Sequence, residues 1–298
     1  MMAHDAKTDF ETHRAALRGL AYRMLGSAAD AEDIVQDAWL RWHERRSAAV
    51  DNTGAYLTRI VTHLCLDRLK SAQVRREHYI GQWLPEPLLA DLDRYQPGPE
   101  VGHEFAHDLS FALLRTLDTL SPLERAAFLL HDVFDVDFAS IATTLARDAS
   151  ACRQLARRAR QQIRAARPRF ETSAADGARL ATAFVAAIAA GELDGLTQLL
   201  ADDVVFHSDG GGKVAAVLHP LHGGARVAQA LLGFAKHYSP ATLRVVITPV
   251  NGRAGVLISD AGGHVVQTIA LDSNGQGRVT AIYVQRNPDK LRHAAPPC

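Results

Sequence analysis

Ser27-Ala-Ala-Asp30-Ala-Glu32-Asp33-Ile34-Val35-Gln36-Asp37-Ala38-Trp39-Leu40-Arg41-Trp42 holds neither glycine nor proline, and its apolar residues return every three or four positions. That spacing predicts a helix with Ala31, Ile34, Val35, Ala38 and Trp42 on one stripe. Ser27 or Asp30 can cap its start, and Asp30, Glu32 and Asp33 place negative charge where the helix dipole and its unpaired N–H groups favour it. Asp30, Asp33 and Asp37 recur at i, i+3 and i+7, so three carboxylates share a second face with Gln36 beside them. A charge row of this kind is ordinarily a solvated face. On a rigid helix it also suits a basic partner.

Working outward, Phe10–Leu25 reads as an amphipathic helix buried through Phe10, Leu17, Leu20, Ala21 and Met24, with Gly26 ending it. Another helix begins near Gly54 and runs past Lys70, burying Leu57, Ile60, Val61, Leu64 and Leu69. Its opposite face carries Arg59, His63, Arg68, Lys70, Arg75 and Arg76, with Asp67 the only acid between Tyr56 and Arg76. Such a face can neutralise phosphates. Cys65 sits between apolar neighbours as a small core residue.

Tyr79-Ile-Gly-Gln-Trp83-Leu84-Pro85-Glu-Pro87-Leu88 cannot continue that helix, because two prolines impose an extended path. Trp83 and Leu84 are expected to be buried. Ala90–Gly102, with Pro97, Gly98 and Pro99, reads as an exposed linker. A second helical unit is expected to open near Glu104. Within it, Ser121-Pro122-Leu123-Glu124 is a capping box with proline at the first helical position. Phe138–Leu145, a turn at Ala146–Asp148 and a helix over Ala149–Arg164 then form a helix-turn-helix. Cys152, Leu155, Ala159 and Ile163 face inward there, leaving Ser150, Arg153, Gln154, Arg157, Arg158 and Arg164 outward. Eight Arg stand against one Asp between Arg147 and Arg169, a charge density that marks a phosphate-binding surface.

From about Asp176 the basic clusters stop. Helices are expected at Leu180–Ile188, Glu192–Leu200 and Ala225–His237. Strands are expected at Val204–His207, Ala215–Leu218, Leu243–Val250, Ala254–Ser259, Val265–Leu271 and Val279–Gln285. This order predicts an α+β unit with helices over a curved antiparallel sheet. Asp209-Gly210-Gly211-Gly212-Lys213 lacks the spacing of a P-loop and reads as a hairpin connection where glycine allows positive φ. His207, Asp209 and His222 are candidates for acid–base chemistry, although such residues near turns are commonplace.

Several of these stretches resemble one family in the right order. Asp30–Arg41 closely resembles the polymerase-docking segment of bacterial sigma factors of the extracytoplasmic function (ECF) group. The resemblance implies that Asp30, Asp33, Gln36 and Asp37 grip the clamp coiled coil of the largest polymerase subunit. Leu64–Ala72 resembles the ECF segment that recognises and opens the minus-ten promoter element, with His63 where Asn or Arg is common. Ala151–Arg160 is similar to the helix that reads the minus-thirty-five element, with Ala146 in place of a turn glycine and Asp148 in place of Ser. The implied DNA contacts are Arg59, His63, Arg68, Lys70, Arg75, Arg76, Arg147, Ser150, Arg153, Gln154, Arg157 and Arg158.

Trp83-Leu84-Pro85-Glu86-Pro87, Asp209–Lys213 and Asn287-Pro288-Asp289-Lys290-Leu291 look like three motifs of the ECF subgroup that carries a SnoaL-like extension, the sigma J-type proteins. That likeness implies regulatory contacts between the extension and the sigma core through Trp83, Leu84, Pro85, Asp209, Gly210, Gly211, Gly212, Lys213, Asn287, Pro288, Asp289, Lys290 and Leu291. In the family the extension is thought to replace a separate anti-sigma partner.

The expected fold is multidomain: an all-α sigma-2 bundle over 1–80, a linker over 81–103, an all-α sigma-4 helix-turn-helix over 104–168, and an α+β SnoaL/NTF2-like cone over 176–292. Promoter DNA and core RNA polymerase, through its clamp coiled coil and flap region, are the expected partners. No cofactor, metal or catalytic residue is expected. The 298 residues suit two or three domains, and 47% apolar residues allow each a core. The formal net charge is zero, yet the charge is segregated, so nucleic acid is not excluded. Cys65, Cys152 and Cys298 are too far apart for a disulfide framework or zinc site, and Cys298 reads as an incidental thiol. No signal-peptide or membrane-span pattern is present, and Leu180–Ala190 is too short to cross a bilayer, so a cytoplasmic location is expected. The alternative is a helix-turn-helix regulator whose C-terminal domain senses a ligand or acts as an isomerase or cyclase.

Overall fold

The computed structural model describes residues 2–44, 50, 52–77, 79–89, 92–97, 102, 104–166, 173–236 and 242–294. Arg75, Arg76 and Cys298 carry expectations that fall on side chains or residues outside that description. The chain forms two compact units: residues 1–77, 91–109 and 113–166 make the first, and 78–90, 110–112 and 167–298 the second.

The first unit is helical. Helices α1 (Met2–Leu25), α2 (Ala28–Glu44) and α3 (Thr53–Glu77) pack on one another. Their apolar stripes meet: Phe10, Leu17, Leu20, Ala21, Met24, Ala31, Ile34, Val35, Ala38, Leu57, Val61 and Cys65 are all buried. Gly26 closes α1 with φ 68°, a backbone state that glycine adopts without penalty, and its N–H bonds Tyr22 O at 2.7 Å. Ser27 then caps α2, its Oγ accepting from the Asp30 N–H at 3.0 Å.

The segment expected to be an exposed linker is instead folded onto α1 where it is described. Leu92–Tyr95 forms a 3-10 turn, Tyr95 is half-buried, and Pro97 is buried. The cause is Arg23, which is 1% exposed and needs acceptors. Its guanidinium donates to Tyr95 O and Ala106 O, both at 2.7 Å. Burial lowers its pKa to about 10. The second group of helices also starts later than expected. Residues 104–107 form a turn, and α4 begins at Phe111 and runs to Thr119.

Helix α5 (Pro122–Phe128) opens on the complete capping box, with Ser121 and Glu124 bonded reciprocally. It continues as a π-type segment, Leu129–Val133. Asp137 caps α6 (Phe138–Leu145), accepting from the N–H groups of Ala139 and Ser140, and Asp148 caps α7 (Ala149–Ala166). Between α6 and α7, Ala146 stands in the left-handed region at φ 51°. Cys152, Ala156, Ala159 and Ile163 are buried, and Leu155 is half-buried.

The second unit is α+β. Helices α8 (Ala174–Ala190), α9 (Leu193–Leu199) and α10 (Gly224–Ala235) are joined by a sheet of β1 (Leu200–Asp209), β2 (Leu221–His222), β3 (Leu243–Ile247), β4 (Ala254–Asp260), β5 (Val265–Ser273) and β6 (Val279–Gln285), followed by α11 (Pro288–Leu291). The strand order is β2-β1-β6-β5-β4-β3.

Two expectations are corrected here. The sheet is mixed, because β1 pairs β6 in parallel with Phe206 opposite Ile282. A parallel neighbour requires a long crossover, which α10 and the β3–β5 meander supply. Ala215–Leu218 is not a strand: Val214 folds back so that its N–H bonds Gly210 O at 3.2 Å, and the paired residues come later, at Leu221–His222. One face of the sheet buries Phe206, Val256, Ile269, Leu271, Ile282 and Val284 against Leu180, Phe184, Leu196, Val227 and Leu231. Alternate residues Ala270 and Tyr283 face the other way and pack with Leu84, Phe111 and Val250.

Candidate functional site

Helix α2 presents its carboxylates unequally. Glu32 takes Arg14 at 2.7 Å and Arg18 at 2.6 Å, pinning α2 to α1. Burial alone would raise its pKa, but the two guanidiniums outweigh it and hold the carboxyl below the usual range. On the other side the Asp33 side chain is 65% exposed, and Gln36 and Asp37 are exposed as well. Asp30 is 28% exposed and is met by Arg68 of α3 at 2.8 Å, with the Asp33 carboxylate 4.0 Å from the same guanidinium. The apolar stripe fixes this rotation: with Ala31, Ile34, Val35 and Ala38 inside, residues 33, 36 and 37 must face out.

The cationic face of α3 is divided in its uses. Arg59 and Lys70 are exposed, Lys70 lying 2.9 Å from Asp67. His63 is half-buried and its Nε2 donates to Thr144 O of α6 at 2.6 Å. Helix α7 keeps Ser150, Arg153, Gln154, Arg157 and Arg158 exposed, and Arg147 is exposed on the turn before it. Two further arginines of the same helix are tied into the fold: Arg160 makes a forked pair with Asp132 at 2.6 and 2.9 Å, and Arg164 meets Glu104 at 3.1 Å. The helix therefore offers a continuous cationic and amide-bearing face anchored by its own flank.

In the second unit, three distant stretches converge on Asp209, which is wholly buried at the end of β1. Its Oδ1 accepts from Tyr79 Oη at 2.6 Å and from the Gly211 N–H at 2.9 Å. Its Oδ2 accepts from the Leu84 N–H at 2.9 Å and Lys290 Nζ at 2.7 Å, with Gln285 Nε2 at 3.3 Å. Lys290 Nζ also donates to Leu84 O at 2.6 Å, and lies 4.2 Å from the centre of the Trp83 ring and 4.9 Å from that of Tyr79. Both rings are within cation–π range. Asn287 donates to Tyr79 Oη at 2.9 Å and caps α11 through Asp289 N–H. Lys213 meets Asp289 at 2.5 Å. That hydrogen bond holds the Asp289 carboxyl below its usual range. Burial first, then the bond to Asp209, raises the Tyr79 hydroxyl, so it stays a donor.

Glycine is required in this arrangement. Gly211 and Gly212 have φ of 61° and 70°, and a Cβ on Gly211 would overlap the Asn287 amide. The three glycines let the chain double back so that Asp209 and Lys213 both face the C-terminal motif.

Three comparisons bear on this geometry. Residues 10–75 match Sigma-70 region 2, residues 110–163 match Sigma-70 region 4, and residues 181–289 match the SnoaL-like domain. The ECF RNA polymerase sigma factor SigJ of Mycobacterium tuberculosis is 38% identical over 95% of this chain and 92% of its own length. The chain belongs to the ECF sigma factor family. The probable ECF RNA polymerase sigma factor SigI of the same species is 34% identical over 98% of this chain and 97% of its own. The crystal structure of M. tuberculosis SigJ superposes with a TM-score of 0.74, covering 97% of this chain and 99% of that one. The protein is thus a transcription initiation factor, with region 2 formed by α1–α3 and region 4 by α4–α7.

The acid–base candidates of this sigma factor are not gathered into one pocket. His207 donates through Nδ1 to Gln82 Oε1 at 2.8 Å and stacks on Tyr283, Asp209 is engaged as above, and His222 is exposed. None of the three lines a cavity of about 170 Å³ that lies among Gly177, Thr248, Gly252, Arg253 and Asp272.

Sequence reasoning missed Tyr79, Gln82, Leu88, Asn251 and Gln285 as members of the Asp209 cluster and its surroundings. Asn251 and Leu88 exchange two bonds of 2.8 Å, from Leu88 N–H to Asn251 Oδ1 and from Asn251 N–H to Leu88 O. The dipeptide Asn251-Gly252 was an available signal, because Asn-Gly marks a turn that uses positive φ, and Asn251 does stand at φ 52°.

Proposed function

We propose that this sigma factor docks core RNA polymerase in the cytoplasm through Asp30, Asp33, Gln36 and Asp37, and reads promoter DNA with the exposed basic faces of α3 and α7. On this reading the SnoaL-like unit modulates the sigma regions in cis by controlling the segment 79–89 that joins them. The observation that carries it is the Asp209 cluster. Tyr79, Trp83 and Leu84 lie in the stretch that follows region 2: Tyr79 and Leu84 bond Asp209 at the end of β1, Lys290 of α11 lies over the Trp83 ring, and Leu84 is buried with Tyr283, Ala270, Val250 and Phe111. A signal that loosened this seat would free the stretch, and the energy that seats it would be coupled to polymerase or promoter binding.

No bond chemistry is assigned to the SnoaL-like unit. Asp209 is saturated by donors and His207 is held between Gln82 and Tyr283, which suits a structural role for both.

The test is in vitro transcription from genomic DNA fragments with purified core polymerase, comparing the full chain with a version ending at Glu171. Discrete initiation that depends on the added protein, altered in rate or promoter choice by the truncation, is the expected outcome. Equal initiation by both versions would refute control by the extension. Asp33→Arg is expected to abolish initiation while leaving binding to duplex DNA intact.

A further inference from the structure

Regions 2 and 4 belong to one compact unit, and hydrogen bonds cross between them at the ends of their helices. Arg125 of α5 donates through Nη1 to Met24 O, one residue from the end of α1, at 2.5 Å. His63 of α3 donates through Nε2 to Thr144 O, one residue from the end of α6, at 2.6 Å. Each region thus supplies a donor to a last-turn carbonyl of the other, a group that its own helix leaves without a partner. Arg125 is 4% exposed, and its Nη2 meets Asp118 of its own region at 3.1 Å. A buried guanidinium is costly without such acceptors, so this seat is specific.

His63 also stands in the middle of the cationic face of α3. Arg59, four residues before it, and Lys70, seven after, lie on the same side and are exposed, whereas His63 is half-buried beneath the end of α6. Packed helices lie about 8–10 Å apart. Promoter elements named for positions minus ten and minus thirty-five are about 25 base pairs apart, or about 85 Å along a duplex rising about 3.4 Å per pair. With α3 against α6, and α7 following after one short turn, the two regions cannot reach both elements at once.

We propose that Arg125 and His63 form a two-point latch that closes region 4 over the melting face of region 2. In the free chain, region 4 itself is the occupant of that face. Engaging both promoter elements on one polymerase requires the latch to open, so the closed state lowers apparent affinity by the fraction of chains that are open. The inference rests on the docking and promoter reading of the two regions. It places one layer of control inside the sigma core, separate from the SnoaL-like unit.

The experiment follows the distance between spin labels at Asp67→Cys on α3 and Thr143→Cys on α6, both exposed positions, in the full chain carrying Cys298→Ser. Cys65 and Cys152 are buried. Double electron–electron resonance is expected to read one short distance in the free chain and a longer one once purified core polymerase is added. Arg125→Met is expected to depopulate the short distance without polymerase. In the unlabelled chain it is expected to tighten polymerase binding roughly three- to tenfold, as removal of about one net hydrogen bond from the closed state requires. His63→Phe is expected to act in the same direction. Arg125→Lys can still donate to Met24 O and is expected to keep the short distance. Asp118→Asn removes the partner of Arg125 inside region 4 and is expected to leave the distance unchanged.

A short distance that persists in the polymerase complex would overturn the latch. So would an Arg125→Met chain that stays closed or docks no more tightly, which is the behaviour of a merely structural arginine. His63→Phe carries the same two readouts should Arg125→Met fail to fold. Failure of the wild type to bind polymerase would refute the docking reading, and the free-chain distances would then decide the latch by themselves.

Discussion

Asp209 shows how one side chain can hold three remote stretches. Among the described residues its carboxylate accepts from Tyr79, Leu84, Gly211, Gln285 and Lys290. Burying a carboxylate and an ammonium is tolerable only with such full pairing, and removing one charge leaves the other stranded. Asp209→Asn is therefore expected to lower stability by about 3 kcal/mol, read from denaturant unfolding of the full chain. Nearby, Asp289 sits below its usual range because of Lys213, yet its side chain is 41% exposed. A depressed carboxylate stabilises the fold above its unfolded pKa, and that contribution is lost as pH falls through the folded value. Melting temperature is thus expected to drop on acidification below about pH 4. Lys213→Met should flatten part of that drop, the part being small, under ~1 kcal/mol, because the pair is exposed to solvent. The Asp209–Lys213 and Asn287–Leu291 motifs were legible as distinctive runs. Their partner Gln285 was not, because glutamine at the end of a strand carries no local signal.

At the scale of the element, the turn between α6 and α7 shows a tolerated misfit. Ala146 adopts φ 51°, a region that disfavours any residue with a Cβ by about 1 kcal/mol. Ala146→Gly is expected to stabilise the helix-turn-helix by roughly 0.5–1 kcal/mol with DNA affinity unchanged, measured by thermal unfolding and anisotropy. The departure from the usual turn glycine was visible in the sequence, and Asp148 preserves the turn by capping α7 through the Ala151 N–H at 2.8 Å. Helix α1 carries the opposite case. A Cβ on Gly19 would collide with Tyr95 O, which Arg23 also holds. Gly19→Ala is expected to push the 92–97 segment off α1 and destabilise the helical unit by about 1–3 kcal/mol, seen as faster amide exchange in that segment. The linker's Pro and Gly content pointed to an exposed segment. Its packing depends on one buried arginine seeking carbonyls, which composition does not reveal.

For the whole molecule, the consequence is that segment 79–89 is a structural part of the SnoaL-like unit although it follows region 2 in the chain. Leu84, Pro85, Pro87 and Leu88 are buried there. A version ending at Glu171 would expose them together, and contiguous apolar surface drives association. That version is expected to self-associate by light scattering and to bind a hydrophobic dye. Leu84→Gln with Leu88→Gln should relieve both effects, which would separate loss of solubility from loss of regulation in the transcription test.

The sequence by itself determined most of the helices, the Ser121 and Asp148 caps and the acidic face of α2, because amphipathic period, capping and charge order are local properties. It also located the motifs over Trp83–Pro87, Asp209–Lys213 and Asn287–Leu291. Only the tertiary structure decided that Asp209 binds Tyr79, Leu84 and Lys290, that β1 pairs β6 in parallel, and that Arg68 of α3 pairs with Asp30 of α2. Those outcomes join residues 38 to 130 positions apart, and no period or cap encodes which buried donor will find which acceptor once the cores have closed.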